Sequence, residues 1–212
     1  SSKLWPSEYE NENAVGETLE RLGLEYIDLL FLHQPAGNWR AGYKLLEEAY
    51  KDGKVKAIGI SNFEGKYLDE LLEICEVMPQ VMQVECHPYF PQTESRQITE
   101  PKNIKIMSWY PLGHGDKNLV NEPVFAKLAK KYHKTPAQII LHWHVQMGFI
   151  VIPGSRNPEH IRENIDIFDF VLTDDEMAEI AKLDKNERYY HGSEKELAQY
   201  VAWKPEYEAA AN

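Results

Sequence analysis

The chain has 212 residues, which fits one α/β domain, and 43% of them are hydrophobic, enough for a sizeable core. Its net charge is −11, with no basic stretch, which argues against nucleic acid and anionic membrane surfaces as partners. No apolar run approaches the roughly 18 residues of a bilayer span. The opening Ser1-Ser2-Lys3-Leu4-Trp5-Pro6 has no signal-peptide pattern, and Cys75 and Cys86 suggest neither a disulfide framework nor a metal spacing, so a cytoplasmic protein with reduced thiols is expected.

Taken in order, Lys3-Leu4-Trp5 reads as the end of a strand. The pattern from Glu8 to Leu22 is helical, with Gly23 able to cap it. Ile27 to His33 is a near-continuous apolar run, the mark of a strand buried on both faces, and it stops at His33-Gln34-Pro35. Asn38 can cap a helix carrying Trp39, Leu45, Leu46, Ala49 and Tyr50, closed by Gly53. Val55 to Ile60 is a strand ending at Ser61-Asn62, followed by a helix from about Lys66 to Glu76. Val81 to Cys86 is a strand ending at His87-Pro88, and a short helix begins near Gln92 and stops before Pro101.

Ile104 to Met107 is a strand handing over Ser108-Trp109-Tyr110. One helix spans about Glu122 to Tyr132, and another starts at Thr135-Pro136, a cap followed by proline at the first helical position. Phe149 to Ile152 is the last strand, ending Pro153-Gly154-Ser155. Asn157-Pro158 opens a helix through Ile165, and Thr173 with Glu176 forms a capping box for a helix to about Leu183. The tail, 185–212, is polar, with Tyr200, Trp203 and Tyr207. No linker interrupts the chain, so one domain, 1–212, is expected.

Strand and helix alternate every 25 to 30 residues or so, which implies parallel strands and right-handed crossovers. The C-terminal ends of the strands hold polar or aromatic groups throughout, while their middles are Val, Ile, Leu and Met. In α/β barrels that end is the active face.

Six ordered motifs resemble the aldo-keto reductases from their third barrel strand onward. They are Lys3-Leu4-Trp5, Asp28-Leu29-Leu30-Phe31-Leu32-His33-Gln34-Pro35, Gly59-Ile60-Ser61-Asn62-Phe63, Gln83-Val84-Glu85-Cys86-His87-Pro88, Ser108-Trp109-Tyr110-Pro111-Leu112-Gly113, and Ile152-Pro153-Gly154-Ser155 with Glu163-Asn164. The resemblance implies a (β/α)8 TIM-barrel fold, here incomplete, with about six parallel strands. It implies hydride transfer from a reduced nicotinamide cofactor to a small carbonyl substrate, while an acid protonates the forming alkoxide.

By the same resemblance Lys3 and His33 match the catalytic lysine and histidine. Ser61, Asn62 and Gln83 match the group that binds the nicotinamide carboxamide, and Trp109 the aromatic that stacks on its ring. Leu112, Ser155, Arg156, His160 and Asn164 fall in the segments that bind the rest of the cofactor. Trp5 and Trp39 are candidates for an apolar substrate pocket. No metal is implied: His142 and His144 lie two apart on a helix and point to different faces.

Three departures matter. The family's catalytic aspartate and tyrosine belong to its first two βα units, which this sequence does not contain. Tyr9 and Tyr110 do not occupy the tyrosine's position, so His33 is considered as a substitute acid, its unperturbed pKa lying near neutrality. General acid catalysis is worth roughly 10²–10⁴-fold, so weak hydride transfer without it is conceivable. The family's cationic pair at the 2′-phosphate is matched by Gly154 and His160, with Arg156 and Arg162 nearby, so NADPH is favoured over NADH only modestly. Six strands do not close an eight-stranded barrel, which leaves three expectations open: a homo-oligomer formed through the exposed edges, which could then serve as an assembly surface, a fragment of a longer protein, or an open barrel with the tail folded over the gap. The reading is therefore a truncated reductase of aldehydes and ketones; the competing one is an impaired, cofactor-binding or regulatory homologue.

Overall fold

A computed structural model describes residues 1–205. Its strands are β1 (Ser2–Leu4), β2 (Leu30–Leu32), β3 (Ile58–Ser61), β4 (Val81–Glu85), β5 (Lys105–Trp109) and β6 (Ile150–Val151), in a parallel sheet ordered as in the chain. The described α-helices are α1 (Ala14–Leu22), α2 (Trp39–Lys51), α3 (Lys66–Ile74), α4 (Thr93–Thr99), α5 (Lys117–Val120), α6 (Pro123–Tyr132), α7 (Pro136–Gln146), α8 (Pro158–Ile165), α9 (Asp174–Ala181) and α10 (Glu194–Ala202). No described helix is long and apolar enough to cross a membrane. The chain divides into two compact units, 1–83 with the segment from Gly192 onward, and 84–191.

In the first unit the register pairs Lys3 with Phe31, Phe31 with Gly59, and Ser61 with Gln83. The apolar run is strand only over Leu30–Leu32, where all three residues are buried. Asp28 is exposed, and Ile27 makes a separate parallel bridge to Val55. Gly59 is required by close packing: a methyl there would lie 2.3 Å from Cδ1 of Phe31. The Asn38 side chain accepts from the Ala41 N–H (3.3 Å), and α2 buries Trp39, Tyr43, Leu46 and Ala49.

Helix α1 starts at Ala14, six residues later than the periodicity predicts. Pro6–Glu8 forms a 3-10 turn, and the Asn13 N–H donates to Asn11 Oδ1 (3.0 Å), a local bond that competes with helix. The tail holds an unpredicted helix, α10, whose Ser193–Glu196 capping box is formed on both sides.

In the second unit β5 and β6 pair through Met107 with Ile150 and Ser108 with Val151. Thr135 and Gln138 make a capping box at the start of α7, and Thr173 and Glu176 make another at α9. Helix α7 is buried from Gln138 through His144, so it serves as a central element here. Helix α5 is also unpredicted; Asp116 caps it by accepting from the Asn118 N–H (2.8 Å).

Candidate active site

The first unit brings Lys3, Trp5 and His33 together at the ends of β1 and β2. The His33 N–H donates to the Leu4 carbonyl (3.1 Å), extending the β1–β2 ladder by one step. The His33 ring meets Trp5 edge-on, with centroids 4.0 Å apart and planes at 86°. Its Nδ1 is buried without a hydrogen-bond partner. Burial, and secondarily the Lys3 charge, push the imidazole pKa down to about 3. At neutral pH the ring is uncharged, which corrects the idea of His33 as the substitute acid: it can offer an N–H to a carbonyl oxygen but holds no spare proton. Lys3 is exposed by area, yet desolvation by its surroundings still lowers its ammonium below the ordinary lysine value.

Trp5 continues into the tail, with Trp203 4.2 Å and Tyr200 6.3 Å away between ring centroids. Trp39 belongs elsewhere. It is 3% exposed and packs edge-on against Phe63 at 5.4 Å, so it is a core residue and not the wall of an open pocket.

Ser61 and Gln83 are buried side by side at the ends of β3 and β4. Asn62 adopts a left-handed conformation (φ 60°), and its N–H donates to the Gln83 carbonyl (2.9 Å). Its side-chain amide donates to Gln34 Oε1 (3.2 Å). Gln34 is in turn pinned by Tyr9, whose hydroxyl donates to the Gln34 carbonyl (2.8 Å) and accepts from its N–H (2.9 Å). Sequence reasoning missed Gln34, although it sits directly beside His33. Tyr9 is fully buried, and burial raises its phenol pKa; with both hydrogen bonds spent on Gln34 it is a fastener and not an acid.

In the second unit, Leu112, Gly154, Ser155, His160 and Asn164 line one cleft of about 440 Å³ together with Thr135, Pro136, Ala137, Val120 and Glu163. The sequence points to the first five and to the motif residue Glu163; the walls supplied by Val120 and the start of α7 appear only once the chain is folded. His160, Glu163 and Asn164 are at helical spacings of three and four, so α8 presents them on one face. Ser155 Oγ accepts from the Asn157 N–H (3.1 Å), and Asn157 Oδ1 accepts from the Glu159 N–H (2.9 Å), fixing the start of α8. A helix start carries partial positive charge and free N–H groups, the chemistry that receives phosphate. Arg156 is exposed in the same turn and is not part of the cleft wall.

Trp109 is half-buried, edge-on to Tyr110 (4.4 Å) and to Tyr190 (5.6 Å). Tyr110 itself stacks on His114, with centroids 4.0 Å apart.

Glu85 and His87 form a fully buried pair, with Glu85 Oε1 and His87 Nε2 2.9 Å apart. The carboxylate also accepts from the Tyr189 N–H (2.6 Å) and the Tyr190 N–H (2.9 Å), so it straps a distant segment to β4. His142 and His144 bond to backbone carbonyls, of Ile167 and of Ile140 and Cys86, in keeping with structural roles.

The chain itself is matched by known proteins. The model of the Aldo/keto reductase family matches residues 1–185. The 9,11-endoperoxide prostaglandin H2 reductase of Trypanosoma cruzi is 42% identical over 193 residues, covering 89% of this chain and 68% of that protein. The glyoxal reductase of Bacillus subtilis is 42% identical over 192 residues, covering 89% and 69%. The crystal structure of a Bombyx mori aldo-keto reductase in complex with NADP superposes with a TM-score of 0.81 at 30% identity, covering 90% of this chain and 69% of that one. The parallel α/β fold and these matches agree, and the chain belongs to the aldo/keto reductase family, an oxidoreductase by type.

Proposed function

We propose that this chain binds NADPH and uses it to reduce small aldehydes and ketones, dicarbonyls of the glyoxal type included. The observation that carries the reading is the cleft of the second unit. Leu112 of the fifth sequence motif and Ser155 and Asn164 of the sixth line, with His160, one opening of about 440 Å³ beside the start of α8. That volume lies within the usual range for small-molecule sites.

Each unit, taken by itself, carries groups that suit one part of a nicotinamide dinucleotide. In the second unit the cleft takes the adenosine end, with Ser155 and the first turn of α8 facing phosphate and Asn164 offering an amide to the base. Arg156 and Arg162, both exposed near this opening, favour the additional phosphate of NADPH. In the first unit Ser61, Asn62 and Gln83 supply the donors and acceptors a carboxamide needs, and the Gln34 contact holds the Asn62 amide in one orientation. Trp109 offers a ring face for stacking.

Bound NADPH supplies the hydride. Neutral His33 donates an N–H to the carbonyl oxygen and orients it, the Lys3 ammonium favours the developing negative charge, and solvent water gives the alkoxide its proton, since neither His33 nor Tyr9 serves as the acid. Trp5, with Trp203 against it, forms an apolar wall for the substrate. The Bacillus subtilis relative is named a glyoxal reductase, which supports a small, reactive carbonyl as substrate. The cytoplasm, where cysteines stay reduced, suits the thiols of Cys75 and Cys86, which form no disulfide among the described residues.

The test is a pair of measurements on the purified protein: fluorescence titration with NADPH and NADH, and consumption of NADPH with methylglyoxal and an aromatic aldehyde. We expect tighter binding of NADPH, and turnover that falls in His33→Ala while cofactor affinity stays. Tight binding with no turnover would make the chain a cofactor-binding homologue. Binding of neither nucleotide would overturn the reading.

A further inference from the structure

We infer that Gln138 is a positioning residue that sets the separation of the two walls of the nucleotide cleft. One wall is the start of α7, at Thr135, Pro136 and Ala137; the other is the face of α8 that carries His160, Glu163 and Asn164. Gln138 is 4% exposed and lies behind the first wall. Its Oε1 accepts from the Thr135 N–H (2.9 Å) and from the Thr135 hydroxyl (3.3 Å). Its Nε2 donates to the carbonyls of Glu163 (3.1 Å) and Asp166 (2.8 Å), at the end of α8, with a longer contact to the Asp166 carboxylate Oδ2 (3.4 Å).

A glutamine amide has two acceptor sites and two N–H donors, and all four are used here. The bonds run to both walls, so one rigid planar group ties the first turn of α7 to the last turn of α8. Only one orientation of the amide works, because the two carbonyls need donors and the Thr135 N–H needs an acceptor. A capping box alone would need only the Oε1 side. The two further bonds of Nε2 reach 25 and 28 residues along the chain, and they define the cleft. Gln138 touches neither ligand nor reacting atoms; it acts through the residues it spaces.

The inference rests on the cleft being the nucleotide site, and the test separates the two. Adenosine 2′,5′-bisphosphate is the probe, with binding followed by calorimetry on the whole protein. Gln138→Met keeps the volume and removes all five side-chain hydrogen bonds. It is expected to raise the Kd for the bisphosphate roughly tenfold, the scale of one or two lost buried hydrogen bonds. The KM for NADPH should rise by the same factor while kcat stays within about twofold of the unsubstituted protein, since uniform binding alone is lost.

Gln138→Glu gives an independent readout. As a carboxylate it faces two carbonyls and the Asp166 carboxylate, itself paired with Lys134 (2.9 Å), with no proton to donate. As a carboxylic acid it regains one donor, so its affinity relative to the unsubstituted protein should recover as the pH falls. That pH dependence also serves if Gln138→Met does not fold; read at pH values where circular dichroism shows Gln138→Glu fully folded, it separates a change in the cleft from a loss of stability. Unchanged bisphosphate affinity in both variants, or a loss in Gln138→Glu that ignores pH, would overturn the inference. If the unsubstituted protein itself does not bind the bisphosphate, the nucleotide reading falls. Hydrogen exchange at the α8 amides, faster in Gln138→Met, would then still report that Gln138 ties the walls, and unchanged exchange would overturn that as well.

Discussion

Replacing Glu85 with glutamine is expected to loosen the strap at Tyr189–Tyr190 and destabilise the protein by about 2–4 kcal/mol. The carboxylate is fully buried and satisfies three donors: His87 Nε2 at 2.9 Å, the Tyr189 N–H at 2.6 Å and the Tyr190 N–H at 2.9 Å. Glutamine has one acceptor oxygen. With that oxygen at the Oε1 position, the new amide group faces the Tyr190 N–H; with the amide reversed, it faces the other two donors. At least one buried N–H is orphaned, at a cost of about 1–3 kcal/mol, and the surviving bonds lose their charge assistance, about 1 kcal/mol more. The assay is urea unfolding, read as a shift in midpoint at constant slope, with amide exchange at Tyr189 and Tyr190 as the local report. Burial pushes the Glu85 carboxyl up, but the bonds from His87, Tyr189 and Tyr190 outweigh it and hold the group below the ordinary glutamate value. A depressed folded-state value gives stability that is present above the unfolded carboxyl pKa and is lost as pH falls through the folded one. The gap between the two proteins should therefore narrow below about pH 4.3. A loss under about 0.5 kcal/mol at neutral pH, with unchanged exchange at both amides, would refute the strap.

Three further outcomes follow from the geometry. Gly59→Ala places a methyl 2.3 Å from Phe31 Cδ1 in the centre of the first unit, so it should cost about 1–3 kcal/mol or more in thermal unfolding; a normal melting temperature would mean the β2–β3 packing is looser than described. The His33 ring, held at about 3, should show no titration by NMR between about pH 5 and 8, and the stability its neutrality confers should decline only as pH falls from about 6.5 toward that value; a midpoint near 6.5 would contradict its burial. Lys134, whose Nζ lies 2.9 Å from both Asp166 and Asp169, should pin the segment after α8, so Lys134→Met should speed proteolysis and amide exchange over residues 166–170. Unchanged rates would mean the two ion pairs carry nothing.

What the sequence discloses is mostly local. Asn38, Thr135, Asn157 and Thr173 each start a helix where their side chains predict, because a cap is settled within three residues. The same signal was present at Ser193 and Glu196 and would have found α10 had the polar tail not masked it. Strand positions are legible as apolar runs, but their lengths are not: Asp28 looks like part of a buried run and turns out exposed, since pairing partners decide where a ladder begins. At the candidate site, Lys3, His33 and Ser61 stand out as strand-end residues, whereas Trp39 misleads, a large aromatic that the core claims. Gln138 and Glu85 were illegible for a different reason. Their roles depend on partners 25 or more residues away, and no periodicity encodes those distances.

The order of the strands bears on how such a chain reaches its fold. Paired residues are separated by 28 positions at Ser2 and Leu30, by 28 at Leu30 and Ile58, and by 22 at Gly59 and Val81. The longest excursion, Met107 to Ile150, is 43. Because the entropy of closing a loop grows only with the logarithm of its length, a doubling adds about 0.6 kcal/mol, and even that widest step is nearly as easy as the narrowest. Each new strand finds its template in the one made just before it, so the sheet can grow stepwise from either end of a paired stretch, without waiting for a remote partner to arrive.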